Sequence, residues 1–239
     1  MNILKKQYVV LAGIGMLMFA LQASASVNKS VKVPDGGTAD GASSVNGSVT
    51  VGTYATINGD LETVNGSIRI GEGTTLGDAE TVNGSLRVGD SARARNLETV
   101  NGKIQVGSNV TVEGEVTAVN GSIDIQNGSQ VARNVENVNG RIELSGARIG
   151  GDLTTVNGSV YVVDGAVIRG DLRVEKPSRS GWNSKNKKPK VVIGPGSKVE
   201  GVINLEQEVE LFLSDTAEVG GVTGVMSMDD AERFSGDRP

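Results

Sequence analysis

Hydrophobic positions along this chain recur every 18 or 19 residues, and a Val-Asn-Gly triplet marks each recurrence. One further residue and then Ile, Val or Leu follow the triplet in every copy. The copies begin at Val45, Val64, Val82, Val100, Val119, Val138 and Val156. A fixed period of this length is typical of proteins in which one small structural unit stacks on the next.

Apolar or small residues occupy the same places in each repeat. When the triplet valine is position 1, they fall at positions 1, 5, 7, 11, 13 and 17. In the first clear copy these residues are Val45, Val49, Val51, Ala55, Ile57 and Leu61. The i, i+2 spacing predicts short strands that turn alternate side chains inward. We therefore expect three strands per repeat and a core that includes the valine of each triplet.

Glycine, Asn and Asp separate the predicted strands. Gly52, Gly71, Gly89 and Gly107 each follow the first strand of a repeat, and we expect them to adopt positive φ at a corner. The Asn-Gly pair is expected to set another corner. An antiparallel meander is the alternative, because Asn-Gly also favours tight hairpins. A meander would leave the third strand of each repeat without a partner.

Three short strands and three corners in 18 or 19 residues predict one coil of an all-β, single-stranded, triangular parallel β-helix, or β-solenoid. Degenerate copies extend the pattern from Val27 to Val222. This gives roughly ten coils and a rod of about 45 Å at the usual strand spacing. One coil cannot bury its own inward face, so several must stack. We expect a right-handed coil because every face carries two inward residues; a left-handed solenoid of the hexapeptide type is the alternative.

The N-terminal segment has the features of a secretory signal peptide. Lys5 and Lys6 precede an apolar run over residues 8–21, and Ala23-Ser24-Ala25 matches a cleavage site. The run is short for a membrane span; an uncleaved anchor is the alternative. We predict an exported chain in the periplasm or on the surface of a bacterium. The predicted divisions are a signal peptide at 1–25, a solenoid at 26–222 and a tail at 223–239, which the pattern leaves open between helix and disorder.

Composition narrows the chemistry that the chain can perform. Among 239 residues there are 34 glycines, no cysteine and no histidine, and aromatic residues make up 3%. Thiol nucleophiles, serine–histidine pairs and nearly all zinc sites are therefore excluded. The net charge of −5 argues against nucleic acid as a partner of the whole surface.

One asparagine per coil occupies the same corner in eight successive repeats. Stacking in register is expected to join the side-chain amides into a ladder of hydrogen bonds. The ladder residues are Asn28, Asn46, Asn65, Asn83, Asn101, Asn120, Asn139 and Asn157. We interpret the ladder as structural; a polar binding stripe, or glycosylation at the Asn-Gly-Ser sequons, is the alternative.

Acidic residues also recur, at positions 16 and 18 of the repeat. They are Asp60, Asp78, Glu115, Asp152 and Asp171 in the first row, and Glu62, Glu80, Glu98 and Glu136 in the second. Stacked carboxylates repel one another unless water or a cation lies between them. We expect a solvated face with no metal and no other cofactor; a row of Ca²⁺ ions is the alternative.

A single insertion, at residues 175–190, interrupts the repeat. It is rich in positive charge and contains the only tryptophan of the chain. Its candidate contact residues are Lys176, Arg179, Trp182, Lys185, Lys187, Lys188 and Lys190. Such a segment suits an anionic envelope glycan or lipid headgroup, and a soluble loop without a ligand is the alternative.

The repeat resembles two bacterial families. The rhythm of Gly-Asp-Leu, Ala-x-Ile and Val-x-Ile-Gly resembles bactofilins, which implies a right-handed triangular β-helix and end-to-end assembly. The string Thr-Val-Asn-Gly-Ser-Ile, which begins at Thr63, is similar to β-solenoid adhesin domains of the cell envelope. Neither resemblance supplies catalytic residues.

Together these features predict a non-enzymatic structural or adhesive protein of the bacterial envelope. We expect it to self-associate, because each end of a solenoid presents strand edges that invite further pairing. The alternatives are a module that binds anionic glycan or lipid through the insertion, and a polysaccharide-acting β-helix enzyme. Paired carboxylates are what the enzyme would need.

Overall fold

The chain folds as a parallel β-solenoid of about ten turns, as its period predicts. The computed structural model describes residues 24–177, 188–237 and 239. Most of the predicted signal peptide lies outside these residues. Within them every strand pair is parallel, which excludes the antiparallel meander. The hand of the coil remains a prediction.

Each coil contributes one strand to each of three faces. The first face follows the Val-Asn-Gly corner and runs parallel from coil to coil. Its strands are β2 (Val31–Val33), β5 (Val49–Val51), β8 (Ile68–Ile70), β10 (Leu86–Val88), β13 (Ile104–Val106), β16 (Ile123–Ile125), β19 (Ile142–Ser145), β22 (Val160–Val163), β25 (Lys190–Ile193), β28 (Glu210–Ser214) and β31 (Glu232–Phe234).

The second face has the shortest strands. Thr75 continues this face by isolated bridges to Thr56 and Arg93, so that it spans the gap between two strands. The strands are β3 (Thr38–Ala39), β6 (Thr56–Ile57), β11 (Arg93–Ala94), β14 (Thr111–Val112), β17 (Gln130–Val131), β20 (Arg148–Ile149), β23 (Val167–Ile168), β26 (Lys198–Val199) and β29 (Glu218–Val219).

The third face leads into the Val-Asn-Gly corner. Four of its strands continue through the asparagine of that corner, whereas the others end before the corner. The strands are β1 (Ser24–Ser26), β4 (Ala42–Ser44), β7 (Leu61–Thr63), β9 (Ala79–Asn83), β12 (Leu97–Asn101), β15 (Val116–Asn120), β18 (Val135–Asn139), β21 (Leu153–Thr155), β24 (Leu172–Val174), β27 (Ile203–Leu205) and β30 (Val222–Gly224).

A single apolar core runs inside the coil from Val33 to Leu213. Like residues stack on like, as in the register of Leu86 with Ile104 and of Ile104 with Ile123. These three side chains are fully buried. Because aliphatic side chains from all three faces meet in this narrow interior, the fold needs few aromatic residues.

The valine of the triplet lies outside this core, and the prediction that it fills the interior is wrong. Val45 is 37% exposed, while Val138 and Val156 form a separate small cluster with Val119. The strand of the third face alternates its side chains, so that Leu61 and Thr63 point inward and the next residue, Val64, does not. The second inward residue of this face is therefore the threonine before the triplet.

The prediction of positive φ at the glycine after the first strand is also wrong. Gly52 is not among the residues with positive φ; the left-handed residue comes two positions later, at Tyr54 in this coil and at Gly73 in the next. Gly52 is needed for another reason. A Cβ there would lie 2.4 Å from Asp35 Oδ1 and 2.5 Å from its backbone nitrogen, closer than stacked coils allow.

The residues after Val222 continue the solenoid. A 3₁₀ turn at Met228–Asp230 leads into β31, which pairs with β28. Met226 and Met228 pack against the end of the core. The tail is therefore neither a separate helix nor a disordered extension over these residues, and it covers part of the last coil.

Candidate functional site

The asparagine corner is a continuous ladder of side-chain hydrogen bonds. Each Nδ2 donates to the Oδ1 of the asparagine one coil earlier, at 2.8–3.0 Å. The bonds run from Asn157 back to Asn28, and all of the amide dipoles point the same way. The ladder lies on the exposed edge between the third and first faces, so its amides are both structural and accessible.

The glycine of the triplet is required by close stacking of the corners. A Cβ on Gly102 would lie 1.9 Å from the carbonyl oxygen of Gly84, and one on Gly84 would lie 1.8 Å from that of Gly66. Real Cβ atoms do not approach a carbonyl so closely. Only Gly140 among the triplet glycines has positive φ, at 124°. Glycine is therefore needed in the triplet because stacked coils leave no room for a Cβ, and not because the backbone adopts a left-handed turn.

A buried polar row supports this corner from inside. Thr63 Oγ1 donates to the Gly47 carbonyl at 2.8 Å, and Thr81 Oγ1 donates to the Gly66 carbonyl at 2.9 Å. Asn137 takes the same place in a later coil. Sequence reasoning missed this row, although its signal is visible as the threonine that directly precedes several triplets.

The basic insertion occupies the same corner, directly after the last rung of the ladder. Lys190 belongs to β25, and its Nζ lies 4.2 Å from the ring centroid of Phe212. Lys188 pairs with Glu208 at 2.7 Å. The Lys176 N–H donates to Glu206 Oε2 at 3.2 Å.

These contacts occupy two of the predicted ligand-binding lysine side chains, and the insertion is shorter than predicted because Lys190 is a strand residue. The remaining candidates, Arg179, Trp182, Lys185 and Lys187, lie outside the described residues.

Gln207 joins the start of the interrupted corner to the corner of the preceding coil. Its Nε2 donates to the Val156 carbonyl at 2.5 Å and to the Glu175 carbonyl at 2.8 Å. In the repeats, the carbonyl of the triplet valine accepts the N–H of the next asparagine, as Val138 does from Asn157. The insertion removes that donor, and Gln207 replaces it. No periodic pattern reveals Gln207, since its partners lie 51 and 32 residues away along the chain.

The first row of acids caps backbone groups of the following coil. Asp60 Oδ1 accepts the Asp78 N–H at 2.7 Å, and Asp171 Oδ1 accepts the Val202 N–H at 3.0 Å. The bond from Val202 lowers the pKa of Asp171. Arg95 binds Asp78 through two nitrogens, at 2.7 and 2.6 Å, and reaches Asp60 at 3.2 Å. Hydrogen bonds and arginine, rather than water alone, therefore stabilise this row.

The second row brings three glutamates together. Glu62, Glu80 and Glu98 lie in direct register on β7, β9 and β12. The pKa of Glu80 is raised to about 7, first by burial and then by the neighbouring carboxylates of Glu98 and Glu62. Burial also raises the pKa values of Glu62 and Glu98. This glutamate stack is less hydrated than the predicted solvated face, because Glu62 is only 9% exposed.

Two further findings concern the chemistry of the described residues. In residues 24–177, 188–237 and 239, no three acidic side chains are grouped so that they could hold a metal ion. Within the same ranges, none of the helical structure is long and apolar enough to cross a membrane.

A row of Ca²⁺ ions along the stacked acids remains open to a direct test: a melting temperature that is unchanged by Ca²⁺ or EDTA would contradict it.

Fold and corner together define a class, the single-stranded parallel β-solenoid built from Val-Asn-Gly repeats. No protein-family model, curated protein or solved structure matches the chain in the comparisons. The resemblance to bactofilins and adhesins therefore rests on the repeat rhythm alone.

Proposed function

We propose that this chain is an exported, non-enzymatic scaffold of the bacterial envelope, a stiff rod that self-associates or adheres to a surface. The observation that carries the proposal is the uninterrupted parallel pairing of all three faces, reinforced at one corner by the asparagine ladder. Such a structure resists bending, since every coil is held by backbone hydrogen bonds along its perimeter. Export is proposed from the sequence of residues 1–25.

The two ends of the rod are not equivalent as assembly surfaces. At the C-terminal end, Met226 and Met228 pack onto the core, and the last strand of the first face carries Glu232 and Arg233. Charges on an edge strand oppose pairing with another chain, and β31 carries two of them whereas β2 carries one, Lys32. This arrangement favours association through the N-terminal coil, in which the edge of the first face is formed by β2.

Electron microscopy and light scattering of the chain that begins at Ser26 test self-association. We expect species larger than one chain, and we expect Lys32→Pro in β2 to reduce them, because proline removes a backbone donor from the edge. Arg233→Pro in β31 is the matched control at the other end, because the Phe234 carbonyl accepts the Asp215 N–H and strand alternation therefore turns the Arg233 N–H to the open edge. This variant should leave assembly unchanged. Circular dichroism verifies that both variants fold. A wild-type chain that is monomeric at every concentration would contradict the proposal.

A second candidate function is binding of an anionic glycan or lipid headgroup by the insertion. In its favour, Gln207, Lys176 and Lys188 anchor the described ends of the insertion to the coil. The test replaces residues 178–187 by a Gly-Ser segment of equal length, which leaves these anchors in place. Loss of binding to anionic vesicles, with no change in self-association, would support this function. Unchanged binding would exclude it.

A further inference from the structure

The Val-Asn-Gly corners share one dipeptide but hold its peptide group in different ways. In three middle corners the glycine N–H donates to the asparagine carbonyl of the next coil. These pairs are Gly84–Asn101 at 3.1 Å, Gly102–Asn120 at 3.1 Å and Gly121–Asn139 at 2.9 Å. As a result, the peptide groups that join Asn101 to Gly102 and Asn120 to Gly121 are held on both sides, by the carbonyl and by the N–H.

The first two corners lack both of these bonds. Among the described residues, neither the Asn46 nor the Asn65 carbonyl accepts a backbone hydrogen bond, and neither Gly47 nor Gly66 donates one through its N–H. The strands β4 and β7 that lead into these corners end at Ser44 and Thr63, before the triplet. By contrast, β12 and β15 continue through the asparagine and align the corner with its neighbour.

This difference matters because Asn-Gly is a self-modifying sequence. The glycine nitrogen loses its proton and attacks the side-chain carbon Cγ, a C–N bond forms, and ammonia leaves. Water then opens the resulting succinimide to aspartate or isoaspartate. Attack requires a free N–H and rotation of the peptide group between the two residues. Glycine does not hinder this rotation because it has no Cβ.

We propose that Asn46 and Asn65 are sites of spontaneous deamidation, and that stacking protects Asn101 and Asn120. In the protected corners both ends of the peptide group must be released before the nitrogen can attack, so the reaction waits for local opening of the coil. The peptide groups that follow Asn83, Asn139 and Asn157 are held by one hydrogen bond each, for Asn157 through Thr155 Oγ1, and these sites react at intermediate rates. Each conversion replaces a ladder amide by a carboxylate, which removes the donor to the preceding rung.

The same criterion sorts two Asn-Gly pairs outside the ladder. The peptide group of Asn127–Gly128 is held on both sides, since Asn109 N–H donates to its carbonyl at 3.0 Å and Gly128 N–H donates to Gly146 at 3.2 Å. Within the described residues, the peptide group between Asn58 and Gly59 has neither bond. Asn58 therefore belongs with the reactive sites and Asn127 with the protected ones.

The test is tandem mass spectrometry of the folded chain during incubation in mildly alkaline buffer. Loss of one or two backbone bonds predicts conversion of Asn46 and Asn65 about tenfold faster than that of Asn101 and Asn120. Asn120 is the matched comparison, because Gly and Ser follow it as they follow Asn46 and Asn65. In urea the rates should converge. Equal rates in the folded chain, any other order of these sites, or the same order in urea would overturn the proposal.

Discussion

At the scale of single residues, the interior of the third face depends on a row of hydrogen-bonded polar side chains. Thr63, Thr81 and Thr99 each donate to the carbonyl of a corner glycine. Asn137 makes the corresponding bond through Nδ2, to Gly121 at 2.7 Å, but its Oδ1 is buried without a partner. A buried acceptor without a donor costs stability. This coil therefore has a less favourable residue at the position where the other coils named here have threonine.

The first prediction is that Asn137→Thr stabilises the protein. Threonine can keep the bond to the Gly121 carbonyl and removes the unpaired oxygen, which should raise the free energy of unfolding by about 1 kcal/mol. Denaturant melts of the variant and the wild type measure the effect. Thr99→Asn is the reverse control and should destabilise; a loss of stability in Asn137→Thr would show that the amide has a partner or a packing role.

The second prediction concerns the reason for glycine at the corner. Gly102→Ala should destabilise strongly, because its Cβ would lie 1.9 Å from a neighbouring backbone oxygen. Gly36→Ala is the control, since Gly36 has φ of 63° but nothing within 4 Å of its Cβ. The control should lose about 1–2 kcal/mol from backbone strain alone. Equal losses in thermal melts would contradict the steric explanation.

At the scale of elements, the long insertion is tolerated because the corner is repaired from the following coil. Gln207 supplies the donor that the insertion removes. Lys188 pairs with Glu208 in the next corner, and Lys190 lies over the Phe212 ring of the next strand. The strands before and after the insertion therefore keep their register, as the pairing of β22 with β25 shows.

The third prediction is that Gln207→Ala destabilises the corner at the insertion. Two carbonyls lose a donor, so we expect a loss of about 1–3 kcal/mol and faster hydrogen exchange in β24 and β25. Glu200→Ala, at an exposed site of the same coil, is the control for general disturbance and should change the stability less. Exchange rates that are the same in Gln207→Ala and the wild type would disprove the anchoring role.

The fourth prediction follows from the glutamate stack. A carboxyl whose pKa is raised in the folded state holds its proton when the unfolded chain has already lost it. Its stabilising contribution is present below the ordinary pKa of 4.5 and is lost as pH rises through about 7. The unfolding free energy should therefore fall across this range, and Glu80→Gln should flatten the fall. Glu208→Gln should not, because Lys188 lowers the pKa of Glu208; an unchanged pH profile in Glu80→Gln would refute the assignment.

At the scale of the whole molecule, the rod is nearly one-dimensional. Each coil contacts the coils before and after it, so that stability is close to a sum of similar neighbour terms. The core has no single centre, and its side chains stack in rows that continue from coil to coil. The length of the rod is therefore set by the number of coils, whereas its cross-section is not.

The fifth prediction tests this modularity. Deletion of residues 101–119 removes one whole repeat and joins Val100 to Asn120, which keeps the asparagine ladder in register. The shortened chain should fold into a rod about 5 Å shorter, one strand spacing, as measured by small-angle scattering. Deletion of residues 101–109 removes half a coil and should disrupt folding. If both deletions behave alike, the coils are not independent units.

Much of the architecture is visible in the sequence. The period of 18 or 19 residues and the i, i+2 alternation determine the number of strands per coil, their parallel stacking and most of the core. These features depend on contacts that every coil repeats, so they leave a periodic trace. The alignment of the eight asparagines is visible for the same reason.

Tertiary structure alone decides what is not repeated or what depends on distance between coils. Gly102 is glycine because another backbone passes close to it, and Val156 lies outside the core because the strand turns Thr155 inward. The partners of Gln207 and the tethers of the Asn-Gly peptide groups are set by stacking. Apart from the local bond of Gly158 to Thr155, their atoms meet across 17 or more residues of chain, a separation over which local sequence pattern carries no geometric information.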